Sequence, residues 1–204
     1  MTVGVVLAGG LARRMGGGDK GLRLVGGRSV LSRVIERLGP QVSAVAINAN
    51  GDGGRLAEFG LAIVPDDVPG RPGPLAGVLA GMEWAAGLGE AWVVSVPWDC
   101  PFIPVDLVGR LVAGLGDREM ACAGSRSDEA GGRVHPVVGL WPVSMRGRLR
   151  GALEGGLRKV GAFTEGAAVV EWGVEGVDPF FNVNTPEELA EAEVIAGQIG
   201  GGRV

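Results

Sequence analysis

The chain is poor in the residues from which many sites are built. Its 204 residues include one histidine, His135, two cysteines, Cys100 and Cys122, and no tyrosine. A single imidazole excludes any centre made of several. Two distant thiols make neither a disulfide framework nor a metal-ligand cluster. Metal chemistry must then rest on oxygen ligands, which favours Mg²⁺ or a similar hard cation. Long apolar runs are missing as well: the hydrophobic stretches are strand-length, well short of the roughly 20 residues a membrane span needs. No basic, apolar and cleavable leader precedes the first strand-like segment, so a cytoplasmic location is expected, with no membrane partner.

Positive charge is scarce outside one region. The net charge is −4, which argues against nucleic acid as a partner. Residues 1–40 nevertheless carry seven basic and two acidic side chains, a local +5 that leaves −9 for the rest. With 46% hydrophobic and 21% charged residues, the composition is that of one soluble domain with a full core. Glycine is abundant at 39 residues, so glycine density by itself carries little weight and the residues beside each glycine carry more.

Apolar patterning predicts strands over residues 2–7, 42–48, 61–67 and 91–97, alternating with helices over 30–38, 75–86 and about 105–115. Ser29 is placed to cap the first helix. Such alternation predicts an α/β fold with a doubly wound, mostly parallel, Rossmann-like sheet. The second half is less regular, with strands near 119–124, 134–140 and 167–172 and helical pieces near 143–153 and 157–163. Thr185, Pro186 and Glu188 form a capping box for a last helix, and residues 197–204 read as a flexible tail. One domain over 1–196 is expected, with a regular half (1–105) and a less regular half (106–196).

In a parallel α/β sheet, ligands gather outside the carboxyl ends of the strands. The chemically loaded residues fall there. The loop "LAGGLARRMGGGDKG" (7–21) follows strand one; it is neither a Walker A loop nor a dinucleotide fingerprint. Gly9 and Gly10 let backbone N–H groups approach an anion, Arg14 offers a planar fork and Lys20 a compact charge. A solvated surface loop is the alternative. Asn48 follows strand two; Asp66 and Asp67 follow strand three, either as ribose or base acceptors or as turn residues. Asp99, in "VPWDCPFIP" (96–104), is placed either to hold Mg²⁺ or to cap the following helix. His135 reads as a structural hydrogen bonder more readily than as a base. Asn182 and Asn184 share a face if extended, to cradle a ligand or pin the last helix.

In their order along the chain, "LAGGLARRMGGGDKG", "GPLAG" (73–77), "DCPFIP" (99–104), "HPVVGLW" (135–141) and "FNVNTPEEL" (181–189) resemble the molybdenum cofactor guanylyltransferases, a family with a nucleotidyltransferase fold. The resemblance covers nearly the whole chain. It implies transfer of GMP from GTP to the terminal phosphate of molybdopterin with Mg²⁺ and release of pyrophosphate. The same resemblance makes 1–105 the nucleotide-binding half and 106–196 the acceptor-binding half. By that similarity Leu7, Ala8, Gly9 and Gly10 hold the nucleotide, and Arg14 and Lys20 neutralise its triphosphate. Asn48 and Asp66 meet the nucleoside and Asp99 binds the metal. Asn182, Asn184, Arg158 and Lys159 face the pterin, and molybdoenzymes or their chaperones are the implied protein partners. Related cytidylyltransferases read LAAG where this chain reads LAGG, so Gly10 with Asp19 and Lys20 favours guanine. Competing expectations are a CTP-dependent enzyme on the same acceptor, a sugar-phosphate nucleotidyltransferase, and a non-catalytic GTP-binding module.

Overall fold

The computed structural model describes residues 1–9, 20–69, 73–127, 131–174 and 176–201, with Lys20 and residues 199–201 described by backbone alone. The strands are β1 (Thr2–Leu7), β2 (Leu24–Val25), β3 (Arg28–Ser29), β4 (Val45–Asn48), β5 (Ala62–Val64), β6 (Trp92–Pro97), β7 (Ala121–Ser127), β8 (Gly131–Pro142) and β9 (Ala168–Gly173). The α-helices are α1 (Val30–Leu38), α2 (Pro74–Gly87), α3 (Leu107–Ala113), α4 (Arg146–Glu154), α5 (Val160–Phe163) and α6 (Pro186–Gly201).

Seven strands make one sheet in the order β5-β4-β1-β6-β8-β7-β9, and only β8 runs antiparallel to its neighbours. The strand order reverses beside β1, the position where an open α/β sheet leaves a crevice at its carboxyl edge. Both faces are covered. Val6, Val94 and Val96 pack with Leu31, Leu38, Leu107 and Leu111 on one side. Val5, Leu7 and Val93 pack with Leu79, Met82, Leu149 and Leu153 on the other. Alternate residues of β1 thus feed two cores, which is why that strand reads as an unbroken apolar run.

Several boundaries differ from the sequence expectation. β5 stops at Val64 because Pro65 has no N–H to continue the ladder. β4 begins at Val45, three residues later than the apolar run suggests. The hairpin β2–β3 was not expected; it turns on Gly26 and Gly27, at φ 56° and 74°, the paired positive φ of a tight hairpin. α6 continues to Gly201, through part of the segment expected to be a tail. The capping box forms as expected: Glu188 N donates to Thr185 Oγ1 (3.2 Å) and Thr185 N to Glu188 Oε2 (2.9 Å). Among the described residues no helix is long and apolar enough to cross a membrane.

Candidate active site

β1, β4 and β6 end side by side, and short bonds tie the chain leaving them. Ala8 N donates to Asn48 O (2.8 Å) and Trp98 N to Leu7 O (3.2 Å). The first residues of the opening loop therefore hang between the ends of β4 and β6. Their backbone groups hold the loop's start, a structural job the sequence did not assign to Leu7 and Ala8. Gly10, Arg13 and Arg14 lie outside the described residues, as does Asp19. The chain is described again at Lys20, and Gly21 backs onto the buried Trp98 ring so closely that a Cβ would stand 2.4 Å from it. Trp98 is thus the floor under the returning loop.

Asn48 is 3% exposed and its amide hydrogens are committed inside the protein, to Val64 O (2.9 Å) and Asp66 Oδ1 (2.9 Å). Asn50 Nδ2 donates to Asp66 Oδ2 (2.7 Å), and Asp66 N donates back to Asn50 Oδ1 (2.9 Å). Asp66 is therefore a keystone that joins the ends of β4 and β5, with its carboxylate fixed in direction. Asn48 Oδ1 faces Gly77 at the start of α2, where a Cβ would lie only 2.2 Å away. The neighbouring Asp67 pairs with Arg150 Nη2 (2.7 Å) instead of closing a turn on itself. That arginine also meets Glu83 (3.1 Å), so the middle of α4 is tied to the loop after β5 and to α2.

Asp99 follows β6, on a loop anchored from α1 and the short turn after it. Gln41 Nε2 donates to Pro104 O (2.9 Å) and Arg37 Nε to Ile103 O. The helix after this loop, α3, is preceded by Asp106, so Asp99 does not cap it. Asn182 is brought to Asp99 from 83 positions away: Asn182 Nδ2 lies 3.4 Å from Asp99 Oδ1, and Val183 N donates to Asp99 O (2.8 Å). Asn184 offers its backbone N–H to Glu188 Oε2 (2.6 Å). Burial, reinforced by Asp99 and Asp178, raises the Cys100 pKa, which keeps the thiol protonated beside the carboxylates.

Two expectations change in detail. Of the cations in residues 1–40, Arg28 pairs with Glu36, Arg33 donates to Val25 O and Arg37 to Ile103 O, so part of that charge serves packing. Arg158 Nη1 donates to Leu153 O (2.8 Å) and Leu157 O (2.7 Å), closing the end of α4; Lys159 immediately precedes α5.

Among the described residues no three His, Cys, Asp or Glu side chains gather to hold a metal. A hard cation in phosphoryl transfer is typically held by one or two carboxylates together with substrate phosphates. Asp99, an oxygen donor at the carboxyl edge, fits that mode.

The model of the MobA-like NTP transferase domain matches residues 4–169. The chain is 55% identical over 200 residues to the molybdenum cofactor guanylyltransferase of Rhodopseudomonas palustris strain BisB5, covering 96% of this chain and 94% of that one. It is 51% identical to that of Nitrobacter hamburgensis over 98% and 97% of the two chains. Among solved structures, the molybdopterin-guanine dinucleotide biosynthesis protein A of Archaeoglobus fulgidus superposes with a TM-score of 0.67 at 24% identity, over 97% of this chain and 100% of that one. The 4-diphosphocytidyl-2C-methyl-D-erythritol synthase of Anaerococcus prevotii gives 0.72 at 12% identity, over 96% of each. These two structures share the fold.

Proposed function

The chain belongs to the MobA-like NTP transferase family, and from that premise we propose that it transfers GMP from GTP to the terminal phosphate of molybdopterin, releasing pyrophosphate. The single observation that carries this reading is identity above one half, over nearly the full length, to a relative of that activity. The convergence of Asn48, Asp66, Asp99 and Asn182 at one edge of the sheet supports it.

An oxygen of the acceptor's phosphate monoester attacks the α-phosphorus; the new O–P bond forms as the α–β bridging bond breaks, and pyrophosphate leaves with the electron pair. A phosphate monoester is largely ionised at neutral pH, with a second pKa of about 6, so no general base is required. The protein's work is positioning and charge neutralisation. Leu7, Ala8, Gly9 and Gly10 bring the chain to the nucleotide, with Arg14 and Lys20 on the triphosphate. Asp66, held by two asparagines, accepts from the nucleoside, while Asn48 shapes the wall behind it. Asp99 would hold Mg²⁺, which supplies charge neutralisation at the phosphates when bound. Asn182 and Asn184 meet the acceptor, with Arg158 and Lys159 at its outer margin. On this reading residues 1–105 serve the nucleotide and 106–196 the acceptor, the enzyme works in the cytoplasm, and its product passes to molybdoenzymes or their chaperones.

The test is a panel of GTP, CTP, ATP and UTP with molybdopterin or a sugar phosphate, scored by pyrophosphate release. Transfer confined to GTP and molybdopterin is expected; preference for CTP or for the sugar acceptor rejects the assignment. Asp99→Ala should lose on the order of 10²–10³ in kcat while keeping its Tm. Normal turnover by that folded variant would remove Asp99 from the metal site.

A further inference from the structure

A buried polar cluster lies behind the acceptor side of the site. Ser125 on β7 is 3% exposed, and its Oγ lies 2.8 Å from His135 Nε2 on β8 and 2.9 Å from Asp178 Oδ2. A hydroxyl has one proton, and an ionised carboxylate can only accept. Ser125 therefore donates to Asp178 and receives the Nε2–H of His135. This direction is the reverse of a nucleophile's, whose proton goes to the histidine, so the cluster is a clamp and Ser125 is no nucleophile.

What the clamp holds is the turn that carries Asn182. Asp178 Oδ1 accepts Phe180 N (2.8 Å), and Asp178 O accepts Phe181 N (2.9 Å). The Phe180 ring, 1% exposed, rests on the His135 ring at 4.8 Å and against Trp172 edge-on at 5.4 Å. Two residues further on, Asn182 reaches Asp99 and Cys100 Sγ through contacts that are both 3.4 Å long. The amide contact is long for an N–H···O bond and a thiol is a weak donor, so neither holds the Asn182 side chain firmly by itself. The turn backbone is fixed at both ends, by Val183 N on Asp99 O (2.8 Å) and, at the far end, by the Asp178 carboxylate held on Ser125.

We propose that Ser125, His135 and Asp178 are positioning residues for the acceptor: they hold the 178–183 turn so that Asn182 stands against Asp99. The inference rests on the guanylyl-transfer reading above for what Asn182 meets. It assigns a task to "HPVVGLW", whose histidine the transfer chemistry leaves unused.

The experiment compares Ser125→Ala, His135→Gln, Asp178→Ala and Asp178→Asn in the full chain by steady-state kinetics and by hydrogen exchange. Ser125→Ala and Asp178→Ala are expected to raise KM for molybdopterin about tenfold or more while KM for GTP stays within about twofold, since misplacing a positioning group is costly at its own substrate. Asp178→Asn keeps an acceptor for Phe180 N and a donor towards Ser125, so it should stay within about threefold of the parent. The Ser125→Ala/Asp178→Ala double variant should be no worse than the worse single, because the two act as one unit. Amides of 178–184 should exchange faster in both alanine variants, with those of β1 and α6 unchanged. Equal rises in both KM values, additive losses, or unaltered protection of 178–184 in a folded variant would overturn the proposal. Absence of guanylyl transfer in the parent protein would reject the acceptor role with the functional reading, and the exchange data would then decide the clamp separately. Should Ser125→Ala not fold, the contrast between Asp178→Ala and Asp178→Asn tests the same clamp.

Discussion

Single residues at this site are constrained more by their neighbours inside the protein than by a ligand alone. Gly77 opens α2 against Asn48, and the 2.2 Å to Oδ1 leaves no room for a methyl group, with Leu7 also within 2.8 Å. Gly77→Ala must push Asn48 off its bonds to Val64 and Asp66. A loss of about 1–3 kcal/mol is expected from overpacking, read as a lowered denaturation midpoint, together with a raised KM for GTP. Gly9 is a contrast: among the described residues a Cβ there would meet only Asn48 Oδ1, at 3.7 Å. Two glycines from different motifs, both beside Asn48 Oδ1, thus have different reasons to be glycine, and the sequence presents them alike.

Among elements, α6 is the clearest case of local sequence deciding local structure. Thr185, Pro186 and Glu188 specify its start, and both reciprocal bonds form. The Glu188 carboxylate also takes Asn184 N, so the cap reaches back into the segment that carries Asn182. Thr185→Ala should cost about 1 kcal/mol of stability, within the usual range for an N-cap, measured by urea unfolding with an unchanged m-value. The β2–β3 hairpin shows the opposite case. Its Gly26-Gly27 turn is a strong hairpin signal, but it is muted in a chain where glycine is common. Strand ends were legible only to within a few residues, because a ladder stops where its neighbour stops.

For the molecule as a whole, the lone histidine makes one pH dependence assignable. Burial lowers the His135 pKa, with Asp178 opposing and Arg133 reinforcing the shift. The folded state therefore favours the neutral ring. Its contribution to stability is complete above the unfolded value of 6.5 and is lost as pH falls from there through the lower folded pKa. Stability should decline with acidification in that window, and His135→Gln should flatten the decline. Denaturant midpoints collected from pH 7.5 to 5 would check this. Chelation is a second test at this scale: on the proposed reading, in which the metal arrives with the triphosphate, excess EDTA should abolish transfer and added Mg²⁺ restore it, without a change in Tm, since no metal cluster braces the described fold.

Periodicity and local chemistry determined the parallel first half, the helix caps and the strand ends that carry the candidate site, because those depend on residues close together in the chain. The motifs in "LAGGLARRMGGGDKG", "DCPFIP" and "FNVNTPEEL" pointed to one family for the same reason. Tertiary structure decided what each polar residue faces. It spent the amide hydrogens of Asn48 on Val64 and Asp66, turned Arg158 onto the end of α4, and set Asn182 beside Asp99 across 83 positions. It also inserted β8 antiparallel between β6 and β7, joining His135 to Ser125 and Asp178. Such pairings depend on how sheets and turns close in space, and no spacing along the chain encodes them.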